Sequence, residues 1–135
     1  AANLERLTPP WLGFEILTPR PIAMRVGALI DYRLRVHGVP LRWRTEITEW
    51  QPPLRFVDEQ LRGPYRLWHH THTFTAEGGG TTVHDRVRYA GLGGVLVQKL
   101  LGERDVRTIF AYREKVLREL FPPSPPCVAT ARADC

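Results

Sequence analysis

The stretch IDYRLRVHGVPLRWRTEI, residues 30–47, decides the fold of this chain. Within Ile30–Val36 every second side chain is apolar, and the residues between them are charged. Leu41–Ile47 repeats this alternation. Because successive side chains of a β-strand point to opposite faces, a period of two is typical of a strand with one buried face. The stretch therefore predicts two antiparallel strands whose apolar faces contribute to one core.

His37–Pro40 is the predicted hairpin loop between these two strands. We expect Val36 to lie opposite Leu41, since the apolar residues of both strands then share one face. The predicted cross-strand pairs are Val36 with Leu41, Leu34 with Trp43, and Ile30 with Ile47.

Outward from this hairpin, Pro and Gly punctuate residues 14–90 at intervals of about ten residues, the spacing of an antiparallel meander. The further predicted strands are 55–61, 65–75 and 82–89, with turns at Gly63-Pro64 and at 77–80. Residues 1–13 are predicted to form a short helical piece that ends at Pro9-Pro10-Trp11, because proline cannot continue a helix.

A C-terminal helix is predicted over residues 94–120, and a long helix with one apolar face needs a sheet to pack on. We therefore predict an α+β fold in which a curved antiparallel sheet of about six strands grips one long helix. A single domain would cover residues 1–121, and the proline-rich residues 122–135 would form a disordered tail. The apolar helix positions, which recur close to a 3.6-residue period, are Leu96, Leu100, Val106, Ile109, Phe110, Val116, Leu117 and Leu120.

The composition fits an ordinary globular protein. The chain has 135 residues, of which 43% are hydrophobic and 24% charged, and this is room for one domain. No apolar run approaches the ~20 residues needed to span a bilayer, and the charged N-terminal residues do not fit a signal peptide. We therefore expect a cytoplasmic protein. The two cysteines, Cys127 and Cys135, lie in the predicted tail, where free thiols fit a reducing compartment.

The net charge of +5 comes almost entirely from arginine, whose planar side chain suits phosphate and carboxylate groups. Nucleic acid and an anionic membrane surface are therefore partners to consider. The arginines alternate with apolar residues, which favours the solvated face of a sheet over a nucleic-acid site and leaves peripheral membrane contact open. The pairs are Arg33/Arg35, Arg42/Arg44 and Arg86/Arg88.

The segment WHHTHTF, Trp68–Phe74, carries the chemistry of the predicted sheet. Its alternation places Trp68, His70, His72 and Phe74 on one face, and the two bulky aromatic residues favour this face as the inner one. A buried imidazole beside a carboxylate has its tautomer fixed by that carboxylate, and we predict such a pair. The expected cross-strand pairs are Thr75 with Thr82, His72 with Asp85, His70 with Val87, and Trp68 with Tyr89.

Three interpretations of the inner histidines remain open. The simplest is a set of polar groups in an apolar cavity, satisfied by one another, by water or by a ligand, with no metal and no other cofactor. The second is a metal site, in which the two histidines supply two ligands and Asp58 or Asp85 a third. The third is general acid–base catalysis by His72, oriented by Asp85. Asp58 and Gln60 join the inner face only if the turn that follows them has the right length, because a one-residue change flips their face.

Several stretches of the chain carry a resemblance to a known family. They are NLERLTPPW (3–11), WRTEITEWQPP (43–53), FVDEQ (56–60), GPYRLWHHTHTF (63–74) and the spacing Asp85-x-Val-x-Tyr89. The chain resembles the START-like helix-grip superfamily (SRPBCC), specifically its bacterial polyketide cyclase/dehydrase-like members. The resemblance is densest over residues 43–74 and extends to about residue 120.

This resemblance implies a cavity between sheet and helix that binds a small hydrophobic, aromatic or lipid-like molecule. The expected function is a binding or carrier module. The alternatives are a cyclase/aromatase- or dehydratase-type enzyme that uses His72 and Asp85, and an interaction protein that uses its basic surface. The residues that we predict to contact the ligand are Trp43, Gln60, Trp68, His70, His72, Phe74, Asp85 and Tyr89.

Members of the superfamily have a strand and a helix before the segment that Asn3–Arg6 resembles, whereas this chain opens within that helix. We therefore expect the domain to be N-terminally incomplete, and the strand of Asp85 and Tyr89 to be an open sheet edge. The sequence leaves open whether the chain starts late or a homodimer forms through this edge.

Overall fold

The computed structural model describes residues 3–91 and 102–122. Six strands and one long helix follow a short 3₁₀-helix at Pro10–Leu12. The strands are β1 (Glu15–Ile16), β2 (Leu29–Val36), β3 (Val39–Gln51), β4 (Arg55–Arg62), β5 (Tyr65–Glu77) and β6 (Gly80–Gly91), and the helix is α1 (Glu103–Leu120).

All six strands form one antiparallel sheet, and each strand pairs with the next along the chain in the order β1 to β6. Together with α1 this is the predicted α+β fold, a curved sheet with one C-terminal helix. Among the described residues, β1 and β6 are the two edges of the sheet.

The predicted register of the β2–β3 hairpin is wrong by two residues. The loop has two residues, His37 and Gly38, with φ angles of 48° and 81°, the left-handed pair that a type I′ turn requires. Val36 therefore lies opposite Val39, and Leu34 opposite Leu41. Because the side-chain period is two, this shift leaves every side chain on its predicted face.

The predicted register of β5 and β6 is confirmed at every position. Thr75 lies opposite Thr82, His72 opposite Asp85, His70 opposite Val87, and Trp68 opposite Tyr89. The hairpin turns through Gly78 and Gly79, whose φ angles of 56° and 81° are accessible to glycine without strain.

The N-terminal segment differs from the prediction at its boundary. Before the prolines, the amide of Leu7 donates to the carbonyl of Asn3 at 3.0 Å, and the 3₁₀-helix then begins at Pro10 instead of ending there. Proline is tolerated in a first helical turn because the amide it lacks has no partner at that position. The segment places Leu12 in the core.

Helix α1 packs on the inner face of the sheet through Val106, Ile109 and Phe110. Val106 joins the larger of two buried clusters, with Leu12, Leu34, Val36, Trp43 and Tyr65. The hairpin tip is tied to the first turn of α1 by a 3.2 Å contact between His37 Nε2 and Asp105 Oδ1. The predicted helical residues 94–101 and the predicted tail beyond residue 122 lie outside the described residues.

The six strand arginines that we expected on the solvated face are all exposed. One of them, Arg44, makes a two-pronged contact with Asp31, through hydrogen bonds of 2.7 and 2.8 Å. No helix in residues 3–91 or 102–122 is long and apolar enough to cross a membrane.

Candidate ligand-binding cavity and its polar floor

A cavity of about 410 Å³ lies between the inner face of the sheet and α1. Strands β2 to β5 contribute one wall, α1 a second, and residues 3–14 a third. Most of the lining is apolar or aromatic, including Leu12, Phe14, Leu34, Trp43, Trp68 and Phe110. Its polar side chains include Thr45, Asp58, His70, His72 and Arg113.

Trp43 is the centre of the aromatic wall. Its ring centroid lies 5.8 Å from that of Tyr32, 5.6 Å from that of Tyr65 and 5.2 Å from that of Trp68. Edge-to-face and offset contacts at these distances are favourable for aromatic pairs. The wall is therefore a packed aromatic cluster, with Trp43 only 6% exposed.

Two carboxylates flank the histidines of β5 at the floor of the cavity. Asp58 on β4 lies opposite His70, and Asp85 on β6 lies opposite His72. His72 Nε2 donates a 2.8 Å hydrogen bond to Asp58 Oδ2, and His72 Nδ1 lies 2.7 Å from Asp85 Oδ1. His72 is therefore held between two carboxylates, one from each neighbouring strand.

His70 lies against His72, with ring centroids 3.7 Å apart. It faces the same two carboxylates at longer range, with Nδ1 3.5 Å from Asp58 Oδ2 and Nε2 3.4 Å from Asp85 Oδ1. Phe56 stacks on the free face of His72 at 4.0 Å, and the edge of Phe110 meets His70 at 5.4 Å. The rings are thus fixed by packing on both sides.

The environment gives the two histidines opposite protonation tendencies. Burial alone would lower the pKa of His72, but the hydrogen bond to Asp58 and the close contact with Asp85 outweigh burial and raise the pKa above its ordinary value. For His70 burial prevails over the same two carboxylates, and the pKa is lowered. The floor therefore stabilises the protonated form of His72 and the neutral form of His70, relative to a free imidazole.

Asp85 is the most strongly held acid of the floor. Its burial opposes ionisation, but His70, His72 and Arg113 together hold the pKa of Asp85 far below its usual range. Arg113 reaches down from α1, with Nε 3.4 Å from Asp85 Oδ2. Asp85 therefore links the helix to the floor of the sheet.

Several buried polar atoms in and beneath the lining have no hydrogen-bond partner among residues 3–91 and 102–122. They are Trp43 Nε1, His70 Nε2, His72 Nδ1, Asp85 Oδ1 and Arg113 Nε. The close approach of His72 Nδ1 to Asp85 Oδ1 is thus an ion-pair contact that is not aligned as a hydrogen bond. The other four atoms belong to the ion-pair contacts around Asp85, whereas the indole N–H of Trp43 is a neutral donor.

The structure places the predicted ligand-contacting residues in three groups. Trp43, Trp68, His70 and His72 line the cavity. Asp85 lies behind the histidines, 14% exposed, and holds them without forming part of the lining. Phe74 stacks on Phe56 at the far side of the floor, and Tyr89 is 37% exposed beside Trp68; neither belongs to the lining.

Gln60, the eighth predicted residue, serves the turn between β4 and β5. Its Nε2 donates to the carbonyl oxygen of Tyr65 at 2.6 Å, and its Oε1 accepts from the amide of Tyr65 at 3.3 Å. Both ends of the amide are therefore used by the backbone across Gly63-Pro64, and Gln60 is absent from the cavity lining.

Replacing Gln60 by Ala is expected to lower the free energy of unfolding by about 1–2 kcal/mol, because two backbone groups lose this partner. Ligand affinity should stay unchanged. Urea denaturation and calorimetric titration of the same sample measure both quantities. A clear loss of affinity with unchanged stability would instead support the role in ligand contact that the sequence suggested.

Asp58 and Arg113 are the site residues that sequence reasoning did not select. The sequence offers Asp58 only as a possible metal ligand, because its face depends on the length of the turn at Gly63-Pro64. The observed register places Asp58 opposite His70, whereas a two-residue turn would place it opposite His69. Arg113 belongs to the charged side of a helical pattern, and no sequence signal distinguishes it from the solvated arginines of α1.

Comparison with known proteins agrees with this architecture. Residues 1–111 match the family model described as polyketide cyclase / dehydrase and lipid transport. No protein of curated function matches the chain.

Three solved structures are similar in fold. Protein CV1439 from Chromobacterium violaceum has a TM-score of 0.66 at 15% identity, over 87% of this chain and 78% of that one. Major latex-like protein 151 from Panax ginseng has a TM-score of 0.63 at 10% identity, over 90% and 81%. TTHA0849 from Thermus thermophilus has a TM-score of 0.51 at 25% identity, over 87% and 86%.

The six-stranded sheet, the gripped helix and the match over residues 1–111 all point to the same assignment. This chain belongs to the polyketide cyclase / dehydrase and lipid transport family.

Proposed function

We propose that this protein binds, and carries, a small hydrophobic or aromatic molecule in the cavity between the sheet and α1. The observation that supports the proposal most is the cavity itself, whose volume of about 410 Å³ falls within the range of small-molecule sites. Its walls are aromatic and aliphatic, and a few polar groups converge at one end. This division is typical of pockets in which apolar contact provides affinity and polar groups fix orientation.

The unpaired indole N–H of Trp43 adds a requirement on the ligand. Trp43 lines the cavity, and its indole N–H is buried and has no acceptor among the described residues. A buried donor without a partner costs free energy, and a ligand oxygen placed against it removes that cost. The proposed ligand therefore has an apolar body and at least one hydrogen-bond acceptor, such as a carbonyl oxygen.

Native mass spectrometry of the protein purified from cells tests the carrier proposal directly. We expect a fraction of the protein to retain a small molecule, which denaturation releases for identification. Calorimetric titration with 2-acetylnaphthalene should also give saturable binding of one molecule per chain. A protein that retains nothing and binds neither this compound nor a fatty acid would contradict the proposal.

Replacing Trp43 by Phe tests the acceptor requirement. We expect about tenfold weaker binding of 2-acetylnaphthalene, because one hydrogen bond of roughly 1–1.5 kcal/mol is lost. The affinity for 2-ethylnaphthalene, which has the same shape without the carbonyl, should change little. Isothermal titration calorimetry with both compounds measures the difference.

Trp50→Phe is the matched control, because Trp50 lies on the same strand but is not part of the cavity lining. It should leave both affinities unchanged. Equal weakening of the two compounds in Trp43→Phe would show that the indole acts through shape alone and has no hydrogen-bonding role.

A further inference from the structure

We propose that Asp58, His70 and His72 bind a divalent transition-metal ion at the floor of the cavity, with Zn²⁺ the best match. Their ligand atoms, one from each residue, all lie within 4.8 Å of one another. The proposal goes beyond ligand binding, because it assigns a separate inorganic site to groups that hydrogen bonding alone leaves partly unsatisfied.

The backbone accounts for the arrangement. His70 and His72 are two residues apart on β5 and share its inner face, while Asp58 on β4 lies directly opposite His70. The two imidazoles come from one strand and the carboxylate from its neighbour, so all three proposed ligands lie on strands and none lies on a loop. Ligands carried by paired strands are held in place by the ladder of backbone hydrogen bonds.

The distances suit a tetrahedral ion. Bonds of 2.0–2.1 Å at tetrahedral angles separate neighbouring ligand atoms by about 3.3 Å. His70 Nδ1 lies 3.5 Å from Asp58 Oδ2, and His72 Nε2 lies 2.8 Å from the same oxygen. Of these two distances the second has to widen, by about half an ångström, which a small rotation of the Asp58 carboxylate supplies.

Asp85 provides the support that metal-bound histidines usually have. A ligating imidazole typically presents its other ring nitrogen to a carboxylate, which orients the ring and makes it a better ligand. The other nitrogens here are His72 Nδ1 and His70 Nε2, and they lie 2.7 and 3.4 Å from Asp85 Oδ1. One carboxylate therefore faces the ion and the other holds the histidines from behind.

Burial supplies an independent indication. His70 and His72 are 5% and 3% exposed, yet His70 Nε2 and His72 Nδ1 have no aligned hydrogen-bond partner in the described part of the chain. Hydrogen bonds within the described protein therefore leave the orientation of both rings incompletely satisfied. A metal ion that fixes each ring through one nitrogen turns the other nitrogen toward Asp85, and both are then satisfied.

Charge compensation is consistent with a cation. Arg113 lies 3.4 Å from Asp85 and balances that acid, so the remaining carboxylate of the floor, Asp58, requires a positive partner. Protonated His72 can be the positive partner of Asp58. A metal ion that binds His72 Nε2 displaces the proton and supplies the positive charge instead. Two imidazoles and one carboxylate match Zn²⁺ and Co²⁺ far better than Mg²⁺ or Ca²⁺, which prefer oxygen ligands.

The experiment uses the full chain with Cys127 and Cys135 replaced by Ser, because free thiols bind Zn²⁺ on their own. Calorimetric titration of the metal-free protein with ZnSO₄ should give one equivalent of tight binding. Co²⁺ should give the intense visible absorption of a four-coordinate site. Both readouts are independent of any bound organic ligand and of the Trp43 tests.

Variants at the site locate the ion. His70→Ala, His72→Ala and Asp58→Asn should each weaken Zn²⁺ binding more than about 100-fold, and Asp85→Asn by about 10–100-fold. His69→Ala is the matched control, since His69 is the next residue on β5 and points to the other face; it should bind as before. Circular dichroism identifies any variant that does not fold, and the isosteric Asp58→Asn keeps the test valid in that case.

Two results would overturn the proposal. One is the absence of stoichiometric Zn²⁺ binding to the folded cysteine-free protein. The other is binding that survives in Asp58→Asn and in both histidine variants, or that is lost in His69→Ala, because the ion would then occupy a surface site.

Discussion

Replacing Asp85 by Ala is expected to lower the free energy of unfolding by about 3–5 kcal/mol. The carboxylate is 14% exposed and faces both His72 and Arg113, whose side chains are 4% and 18% exposed. Its removal leaves the guanidinium of Arg113 without this partner and His72 with Asp58 alone, and an uncompensated buried charge is one of the costliest single changes. Urea denaturation in the presence of a chelator measures the loss without any metal contribution.

A double variant separates charge from packing. If the loss of stability in Asp85→Ala comes from the unpaired charge of Arg113, the double variant Asp85→Ala/Arg113→Met should recover a substantial part of that stability. Asp31→Ala is the surface control: it breaks the ion pair with Arg44 at 2.7 Å, but water screens these exposed groups and the effect should be small by comparison. Equal effects of the two aspartate substitutions would contradict the role given to the polar floor.

Replacing Trp43 by Ala should also cost about 3–5 kcal/mol, the usual range for removing a large buried aromatic side chain. Trp43 contacts Tyr32, Tyr65 and Trp68, so its loss removes the centre of the aromatic wall. We expect both a lower midpoint of thermal unfolding and loss of 2-acetylnaphthalene binding.

Trp11→Ala provides the comparison for this change. Trp11 is 60% exposed and makes an edge contact with Tyr112, so its removal should cost far less. If both tryptophans prove equally dispensable, the cavity wall does not depend on the aromatic cluster, and the ligand would have to be held elsewhere.

The alternation of side chains between the two faces of a strand explains how much of the fold was predictable. Alternation in residues 30–47 identified the buried faces of β2 and β3 correctly, although the hairpin register was wrong. The error lay in taking Val39 and Pro40 as loop residues, whereas His37 and Gly38 alone make the turn. An error of two residues preserves every face, so the inner residues were still identified.

An error of one residue has the opposite effect, and it limited the prediction of the site. Asp58 faces the histidines because β4 and β5 pair one residue out of the register that a two-residue turn at Gly63-Pro64 would set, with the Gln60 amide bonded across the turn. No propensity in Gly63-Pro64 fixes that offset. The role of Arg113 could not be predicted for a different reason, since only the docking angle of α1 brings its guanidinium to Asp85.

The β5–β6 pairing was predictable because Gly78 and Gly79 readily adopt the left-handed φ angles of a two-residue hairpin turn. From that register the contact between His72 and Asp85 followed, and the structure confirms that they lie together. The second carboxylate, Asp58, changes the interpretation of His72. A histidine between two acids can help to bind a cation as well as act as a base.

The meeting of Trp43 and Trp68 has a practical consequence. Their rings stand at 87° to each other with centroids 5.2 Å apart, close enough for the two indoles to share an electronic excitation. Coupled chromophores in a fixed, handed arrangement produce paired bands in the far-ultraviolet circular dichroism spectrum, where the strong indole transition lies. A ligand that contacts either ring alters that coupling. Ligand binding can therefore be followed by circular dichroism, without an attached dye.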